Sequence, residues 1–208
     1  MVIVKKGIFY KNNHSSVFRK VFSIPRGSRP LNLCELPNGH IYWGEYFANI
    51  GKEAVHVYVS IDGGLTWKIA YTFSEGNINH IHGLFWDEFT NRLWFCTGDR
   101  ENECIIGYTE DEFKTIVEVF RGNQEYRSCQ LFFYEHFVVF ATDSQYVQNE
   151  IKMFARDSMQ INSLVKIQGT AIKGGQLGNI SFLSTTVEPS EMNKDRYSHL
   201  WITDDGIS

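Results

Sequence analysis

Short runs rich in β-branched and aromatic residues alternate with polar turns along the chain. The clearest pair is 55–59 and 68–73, which flank the segment 60–67. In that segment Asp62 can accept hydrogen bonds from nearby backbone N–H groups, and the two following glycines tolerate the positive φ of a tight turn. The pattern therefore predicts a β-hairpin with Trp67 packed under its turn, and no part of the chain requires a helix.

The same turn recurs along the sequence. Asp62, Asp111, Asp157 and Asp205 each follow an apolar run, and they are 49, 46 and 48 positions apart. Other apolar runs recur with them. Second strands are expected at 41–47, 93–97, 137–142 and 180–185, innermost strands at 31–36, 81–86, 128–133 and 169–173, and outermost strands at 68–73, 115–120 and 162–167. Groups of strands at this period are typical of β-propeller blades.

We predict an all-β propeller of four-stranded antiparallel blades, about four of them, in one domain. The expected boundaries are an outer hairpin of a preceding blade at 7–24, blades at about 29–73, 80–120 and 127–167, and an incomplete blade at 169–208. Asn13 is expected in the turn of the first hairpin. Either strand 18–24 completes the last blade and closes a four-bladed ring, or the chain is part of a larger propeller; the second arrangement is favoured because larger rings are roomier.

Composition narrows the class of protein. Of the 208 residues, 43% are hydrophobic and 15% aromatic, as in an ordered globular protein. The net charge of −4 offers no basic face, so neither nucleic acid nor a membrane is expected as a partner. No signal peptide or membrane-spanning run is found, and a cytoplasmic location is expected. The four cysteines lack the C-x-x-C spacing of a zinc knuckle and are expected to be core thiols.

Polar residues concentrate where a propeller has its ligand funnel, at the start of each innermost strand and after each second strand. A ring of polar residues around the funnel suits hydroxyl-rich or carboxylated sugars. Arginine can hold a carboxylate with two hydrogen bonds, and carboxylates accept hydrogen bonds from hydroxyl groups. Asp99, Glu45 and His82 are the candidates for proton transfer. The candidates for substrate binding are Arg29, His80, Gln124, Arg127, Asp143, Asn149 and Glu188.

The two histidines allow several interpretations. His80 and His82 alternate on one predicted strand and therefore face the same side. They suit contact with a sugar, hydrogen bonds between strands at the central channel, or a metal ion held together with Asp99 or Glu45. Asp99 follows a glycine at a strand end, where an aspartate commonly forms a turn.

The other candidates have structural alternatives as well. Arg127 can pair with Asp143 instead of a ligand, and Glu188, next to a proline, can be a solvated loop residue. The tryptophans are expected to pack between blades, although one of them can also serve as a platform for a sugar. We predict no bound metal and no cofactor.

The segment 60–67 and its weaker copies resemble the Asp-box of the BNR repeat proteins, which are sialidase-like propellers. The resemblance implies a structural role, away from the funnel, for Ser60, Asp62, Gly64, Thr66 and Trp67. It also implies three arginines that grip a substrate carboxylate, an acidic proton donor, and a tyrosine nucleophile paired with a glutamate. Arg29 or Arg26 can be the first arginine and Arg127 the second. A third arginine and the tyrosine find no position in this sequence.

Two classes of function follow. The first is a carbohydrate-active enzyme, a glycoside hydrolase or polysaccharide lyase, in which Arg29 and Arg127 hold an acidic glycan or bacterial polysaccharide. The second is a non-catalytic glycan-binding or protein-interaction propeller that uses the same funnel. A pair of free carboxylates across the funnel favours hydrolysis, whereas carboxylates tied up in salt bridges favour binding.

Overall fold

A computed structural model describes residues 1–12 and 14–208, which form five antiparallel sheets. The first sheet contains β1 (Val2–Val4), β2 (Gly7–Tyr10) and β3 (Arg19–Ser23). The second contains β4 (Cys34–Glu35), β5 (Ile41–Gly44), β6 (Val55–Ser60) and β7 (Lys68–Phe73). The third contains β8 (His80–Asp87), β9 (Arg92–Gly98), β10 (Ile105–Thr109) and β11 (Val117–Arg121).

The fourth and fifth sheets continue the same order. The fourth contains β12 (Ser128–Phe133), β13 (Phe137–Thr142), β14 (Glu150–Ala155) and β15 (Ile161–Lys166). The fifth contains β16 (Thr170–Leu177), β17 (Ile180–Thr186) and β18 (Leu200–Thr203). The strands of each sheet pair in chain order, so the predicted all-β fold with antiparallel four-stranded sheets is confirmed.

Helical structure is minor. Within the described ranges it consists of two short 3-10 turns, Glu101–Glu103 and Gln124–Tyr126. A search of the same ranges finds no helix with the length and apolar character needed to cross a membrane. The first turn follows β9 and the second directly precedes the innermost strand β12, and they bury the polar side chains of Glu103 and Gln124.

Successive sheets pack face to face, and each contact encloses an apolar core. All four residues of β5 are buried, because this strand lies between two neighbouring sheets. Members of the four cores, from the first contact to the last, are Ile8 with Trp43 and Tyr58, Tyr42 with Phe95, Trp94 with Phe154, and Phe132 with Leu183. The tryptophans lie in these cores or pack against them.

The innermost strands β4, β8, β12 and β16 line a common opening of about 540 Å³. Two side-chain amides link neighbouring sheets there: Asn32 donates to the carbonyl of Leu84 (2.6 Å), and Gln176 donates to the carbonyl of Phe133 (2.8 Å). Lys173 Nζ also donates to the carbonyl of Leu31 (3.1 Å), which joins the fifth sheet to the segment before β4. The innermost strands of these four sheets therefore face one opening.

The turn after β6 is built by side-chain hydrogen bonds. Asp62 accepts from the Ser60 hydroxyl (2.7 Å), from the Thr66 N–H (2.9 Å) and from the Thr66 hydroxyl (2.6 Å). These bonds, with those of Thr66 the strongest, hold the pKa of Asp62 well below its usual value. Equivalent bonds form at Asp111 and Asp205.

Two details of the other turns differ from expectation. Thr115 still bonds to Asp111, so the outermost strand of the third sheet begins at Val117 instead of at 115. The turn at Asp157 differs because Ala155 supplies no hydroxyl group, and Asp157 accepts from the Ser158 N–H instead (2.6 Å).

The ends of the fold correct one predicted alternative. In the described part of the chain β3 pairs with β2 and β18 pairs only with β17, so the arrangement in which strand 18–24 completes the last sheet is wrong. The fifth sheet exposes Phe182 and Ile202 on the face opposite its buried core residue Leu183. β1 is not among the predicted strands because three residues are too few to show a pattern. Asn13, expected in a turn, lies outside the described residues.

A stacked aromatic pair of the second sheet lies in the core between the first two sheets. This pair should contribute much of the stability of that core. Trp43 is fully buried, and its ring stacks on Tyr58 with centroids 4.3 Å apart. We expect Trp43→Ala to lower the free energy of unfolding by about 3–5 kcal/mol, because it removes a large buried side chain and leaves a cavity. Urea denaturation measures this loss. Ile61→Ala, at a 57% exposed position, is the control and should change stability by less than about 0.5 kcal/mol. Equal losses in the two variants would contradict this assignment.

Candidate functional site

Five of the predicted residues meet at one end of the central axis: His80, His82, Asp99, Arg127 and Asp143, which we call the funnel cluster. The two histidines begin β8, and Asp99 directly follows β9. Arg127 ends the 3-10 turn before β12, and Asp143 directly follows β13. Adjacent sheets thus bring together the starts of the innermost strands β8 and β12 and the ends of β9 and β13, the second strand of each sheet.

Asp99 is the centre of the funnel cluster. Its Oδ1 atom lies 3.0 Å from Arg127 Nη2, 3.3 Å from His80 Nε2 and 3.2 Å from His82 Nε2. Its Oδ2 atom accepts from the Asn79 amide (2.9 Å). Burial disfavours the charged carboxylate, but hydrogen bonds and charge from the two histidines in their protonated form outweigh burial and hold the pKa of Asp99 well below its usual range. Asp99 is therefore ionised at neutral pH.

The pKa of Asp143 is shifted in the opposite direction to that of Asp99. It is 4% exposed, and burial raises its pKa to about 7 against the opposing effects of the Arg127 charge and the hydrogen bond from Cys129. Cys129 Sγ donates to Asp143 Oδ2 (3.3 Å), and Arg127 Nε lies 3.7 Å from the same oxygen. Two carboxylates near one arginine thus have widely different pKa values.

The Nδ1 atom of each histidine contacts a backbone carbonyl oxygen, on the side of the ring away from Asp99. His80 Nδ1 lies 2.9 Å from the Phe47 carbonyl, and His82 Nδ1 lies 3.1 Å from the Ser128 carbonyl. Burial, as the main cause, lowers the pKa of His82 to about 4, although Asp99 opposes the shift. His82 is therefore neutral at pH 7. Its ring also packs on Gly98, where a Cβ atom would lie only 2.4 Å from the ring.

Two predicted ligand residues form the framework behind the funnel cluster. Gln124 is 2% exposed; it donates to the Asp99 carbonyl (2.8 Å) and accepts from Ser144 (2.8 Å). Asn149 is fully buried and bonds to the backbone of Ser144 through both ends of its amide. Since their hydrogen bonds are made within the protein, these residues position the neighbouring loops.

Three other predicted residues form their hydrogen bonds or ion pairs outside the funnel cluster or are exposed, although Glu188 is near enough to Asp143 to raise its pKa. Arg29 is exposed, and Arg26 is the arginine that reaches inward, where it forms an ion pair with the buried Glu45. Glu45 also accepts from the His56 N–H (2.9 Å), so both of its oxygens are engaged. Glu188 accepts from the Thr170 hydroxyl (3.2 Å) on the fifth sheet.

Three residues that contact the funnel cluster are not among the predicted ones. They are Asn79, which bonds to Asp99; Cys129, which bonds to Asp143; and Tyr46, whose ring lies 4.3 Å from that of His80. Each is one or two positions from a predicted residue, so the available signal was adjacency at a strand end. A cysteine or tyrosine in an apolar run is predicted to be a core residue. The sequence pattern alone does not distinguish such a residue from one that contacts a polar site.

A cavity of about 690 Å³ opens above His80 and Asp99. We call it the funnel mouth; its other lining residues include Tyr46, Ile50, Lys52, Asn79, Arg100 and Tyr146. Lys52 Nζ contacts Asn79 Oδ1 (3.1 Å) and the carboxylate of Glu103 (2.5 Å), so this cation is already paired. Arg100, which directly follows Asp99, is a second cation of the mouth.

Comparison with known proteins identifies the fold and no family. No protein family and no curated protein matches the sequence. The chain is similar in structure to one in a nidogen/laminin complex, with a TM-score of 0.60 and 9% identity over 88% of this chain and 68% of that one. It is also similar to YCF48 bound to D1 peptide, with a TM-score of 0.60 and 12% identity over 87% and 56% of the two chains.

A third similar structure is the putative TolB from Agrobacterium tumefaciens, with a TM-score of 0.60 and 10% identity over 97% of this chain and 71% of that one. At these identities the similarity shows the fold alone, which is of the propeller type. The chain spans little more than half of the YCF48 chain. Sialidase membership is not shown by any of these matches.

The raised pKa of Asp143 predicts a pH-dependent effect of Asp143→Asn. Because the carboxyl group has a pKa of about 3.9 in the unfolded chain and about 7 when folded, the wild type loses stability as the pH rises from 4 through 7. The asparagine variant has no such loss. Its stability relative to wild type should therefore increase by about 1–3 kcal/mol between pH 4.5 and pH 8.

Urea denaturation at the two pH values in metal-free buffer measures this difference. Asp205→Asn, in an exposed turn where the carboxylate pKa is lowered instead, is the control. Its stability relative to wild type should not increase over the same pH interval. A constant difference between wild type and Asp143→Asn would show that Asp143 is charged throughout.

Proposed function

We propose that this chain is a non-catalytic binding propeller that recognises a polypeptide segment of a protein partner at the funnel mouth. The supporting observation is that each carboxylate expected to transfer protons is held by an internal partner. Glu45 pairs with Arg26, and Asp99 pairs with Arg127. A general acid or base must exchange its proton with the substrate, so carboxylates already held by arginines favour binding over hydrolysis.

The rim of the funnel mouth has the composition of a protein-binding surface. Ile50 is 94% exposed and Tyr146 is 64% exposed, and both line the same cavity. Exposed aliphatic and aromatic side chains around a polar floor are typical of the anchors of protein interfaces. Arg100 is exposed beside them. The partner segment would place an apolar side chain between Ile50 and Tyr146 and a carboxylate against Arg100.

The structural comparisons add support at the level of the fold. One similar chain is found in a nidogen/laminin complex, and another is described as YCF48 bound to D1 peptide. Chains with this fold are therefore found with protein or peptide partners, which supports the proposal. Binding of an acidic glycan, as the sequence resemblance implies, is the second candidate; the polar floor formed by Asn79, His80 and Asp99 favours it.

A displayed library of random peptides and a panel of acidic and neutral oligosaccharides, each tested on the immobilised protein, would separate the two candidates. We expect enrichment of peptides that combine an apolar residue with an acidic one. Tyr146→Ala should weaken binding of an enriched peptide by roughly tenfold or more, because it removes a central anchor. Arg100→Gln should weaken binding chiefly at low ionic strength.

Leu177→Ala is the matched control, because Leu177 is 83% exposed but lies on the fifth sheet, away from the funnel mouth. It should leave peptide binding unchanged. Equal losses in Tyr146→Ala and Leu177→Ala would mean that the peptides bind non-specifically to apolar surface. Retention of oligosaccharides without enrichment of peptides would replace the proposal by glycan binding, and cleavage of an oligosaccharide would show an enzyme.

A further inference from the structure

Three potential metal ligands converge at the floor of the funnel mouth. His80 Nε2 lies 3.1 Å from His82 Nε2, and Asp99 Oδ1 lies 3.3 Å and 3.2 Å from these two atoms. All three atoms thus form a nearly equilateral triangle. The histidines are 7% and 1% exposed in their side chains, and Asp99 is 32% exposed and faces the cavity.

The backbone determines which ring nitrogen faces the triangle. A carbonyl oxygen only accepts hydrogen bonds, so the Phe47 and Ser128 carbonyls favour N–H groups at Nδ1 of His80 and His82. The Asn79 amide nitrogen also approaches His80 Nδ1, but at 3.3 Å it is farther away than the Phe47 carbonyl at 2.9 Å. In a neutral histidine the Nε2 atom then carries a lone pair. Two lone pairs and a carboxylate oxygen consequently point at one small volume, an arrangement that is repulsive unless a proton or a cation occupies it.

The dimensions of the triangle suit a transition-metal ion. Ligand atoms about 2.0–2.1 Å from a tetrahedral zinc ion are about 3.3 Å apart, close to the 3.1–3.3 Å observed. Nitrogen and oxygen ligands of this kind suit zinc and its first-row neighbours better than calcium or magnesium. No movement of the strands is needed to bring the three ligands together.

The surroundings complete the pattern of a metal site. A histidine that binds metal through Nε2 typically donates its other N–H to a carbonyl, as both do here, and a ligating carboxylate is typically hydrogen-bonded. Asp99 accepts from Asn79 at Oδ2 and from Arg127 at Oδ1, and a carboxylate oxygen has a second lone pair for a metal. The positive charge of Arg127 opposes that of the ion, so we expect an affinity in the micromolar range.

We propose that His80, His82 and Asp99 form a binding site for a divalent transition metal of the zinc class, with an exchangeable position open to the funnel mouth. Three protein ligands with one open position can bind a further group, such as a carboxylate of a ligand in the cavity. The proposal departs from the expectation, drawn from the sequence, that no metal is bound. It is independent of the peptide-binding proposal, because it concerns the floor of the cavity and not its rim.

Titration of the chelator-treated protein with Co²⁺ and Zn²⁺ tests the site. We expect one equivalent of Co²⁺ to bind with visible absorption bands typical of nitrogen and oxygen ligands, and Zn²⁺ to displace it. His80→Gln and His82→Gln should each weaken Zn²⁺ binding by about 100-fold or more, and Asp99→Asn by about 10-fold to 100-fold. Calorimetry measures the affinities, and circular dichroism in chelator confirms that each variant is folded.

The matched control is His199→Gln. His199 Nε2 also contacts a carboxylate, Asp195 Oδ2, at 2.6 Å, but the pair is half-exposed and no second histidine lies within hydrogen-bond distance in the described residues. This variant should bind Zn²⁺ like the wild type. Failure of the wild type to bind either ion below millimolar concentration would overturn the proposal whatever the variants do. Unchanged stoichiometry and affinity in His82→Gln, or equal losses in His199→Gln, would overturn it too.

Discussion

The polar centre of this protein depends on the convergence of four innermost strands on one axis. Because β4, β8, β12 and β16 face a common opening, side chains at the start of one strand reach the backbone of the next sheet. His82 on β8 contacts the Ser128 carbonyl of β12, and His80 contacts the Phe47 carbonyl beyond β5. Water is largely excluded from these contacts, so each polar group must find its partner within the fold.

This constraint explains how charge is distributed in the funnel cluster. Arg127 stands between two carboxylates. Its Nη2 atom contacts Asp99, which also accepts a hydrogen bond from the Asn79 amide. Asp143 is buried beside the Cys129 thiol, and burial raises its pKa to about 7. One carboxylate is therefore charged and the other only partly charged at pH 7, which reduces the cost of burying both beside a single cation. The charged carboxylate, Asp99, lines the cavity of the funnel mouth.

Local patterns sufficed to predict the strands and turns, whereas contacts between sheets decided the site. Alternating apolar runs located the strands of the four-stranded sheets, and the hydroxyl and carboxylate pair at Ser60 and Asp62 located a turn. The sequence allows Arg29 or Arg26 as the first arginine, since both precede the same strand, and only packing against Glu45 identifies Arg26 as the arginine that points inward. The carbonyls that orient His80 and His82 belong to other sheets, and no pattern along the sequence reveals them.

In the proposed metal site, the Nε2 atoms of His80 and His82 face Asp99 as metal ligands. A nitrogen-15 NMR spectrum of the histidine side chains, with one equivalent of Zn²⁺ at neutral pH, tests this orientation. We expect two of the seven histidines to carry their proton on Nδ1 and to show the Nε2 shift of a metal-bound nitrogen, and we expect His80→Gln to remove both signals. Protonation of either residue at Nε2 in the presence of Zn²⁺ would contradict it.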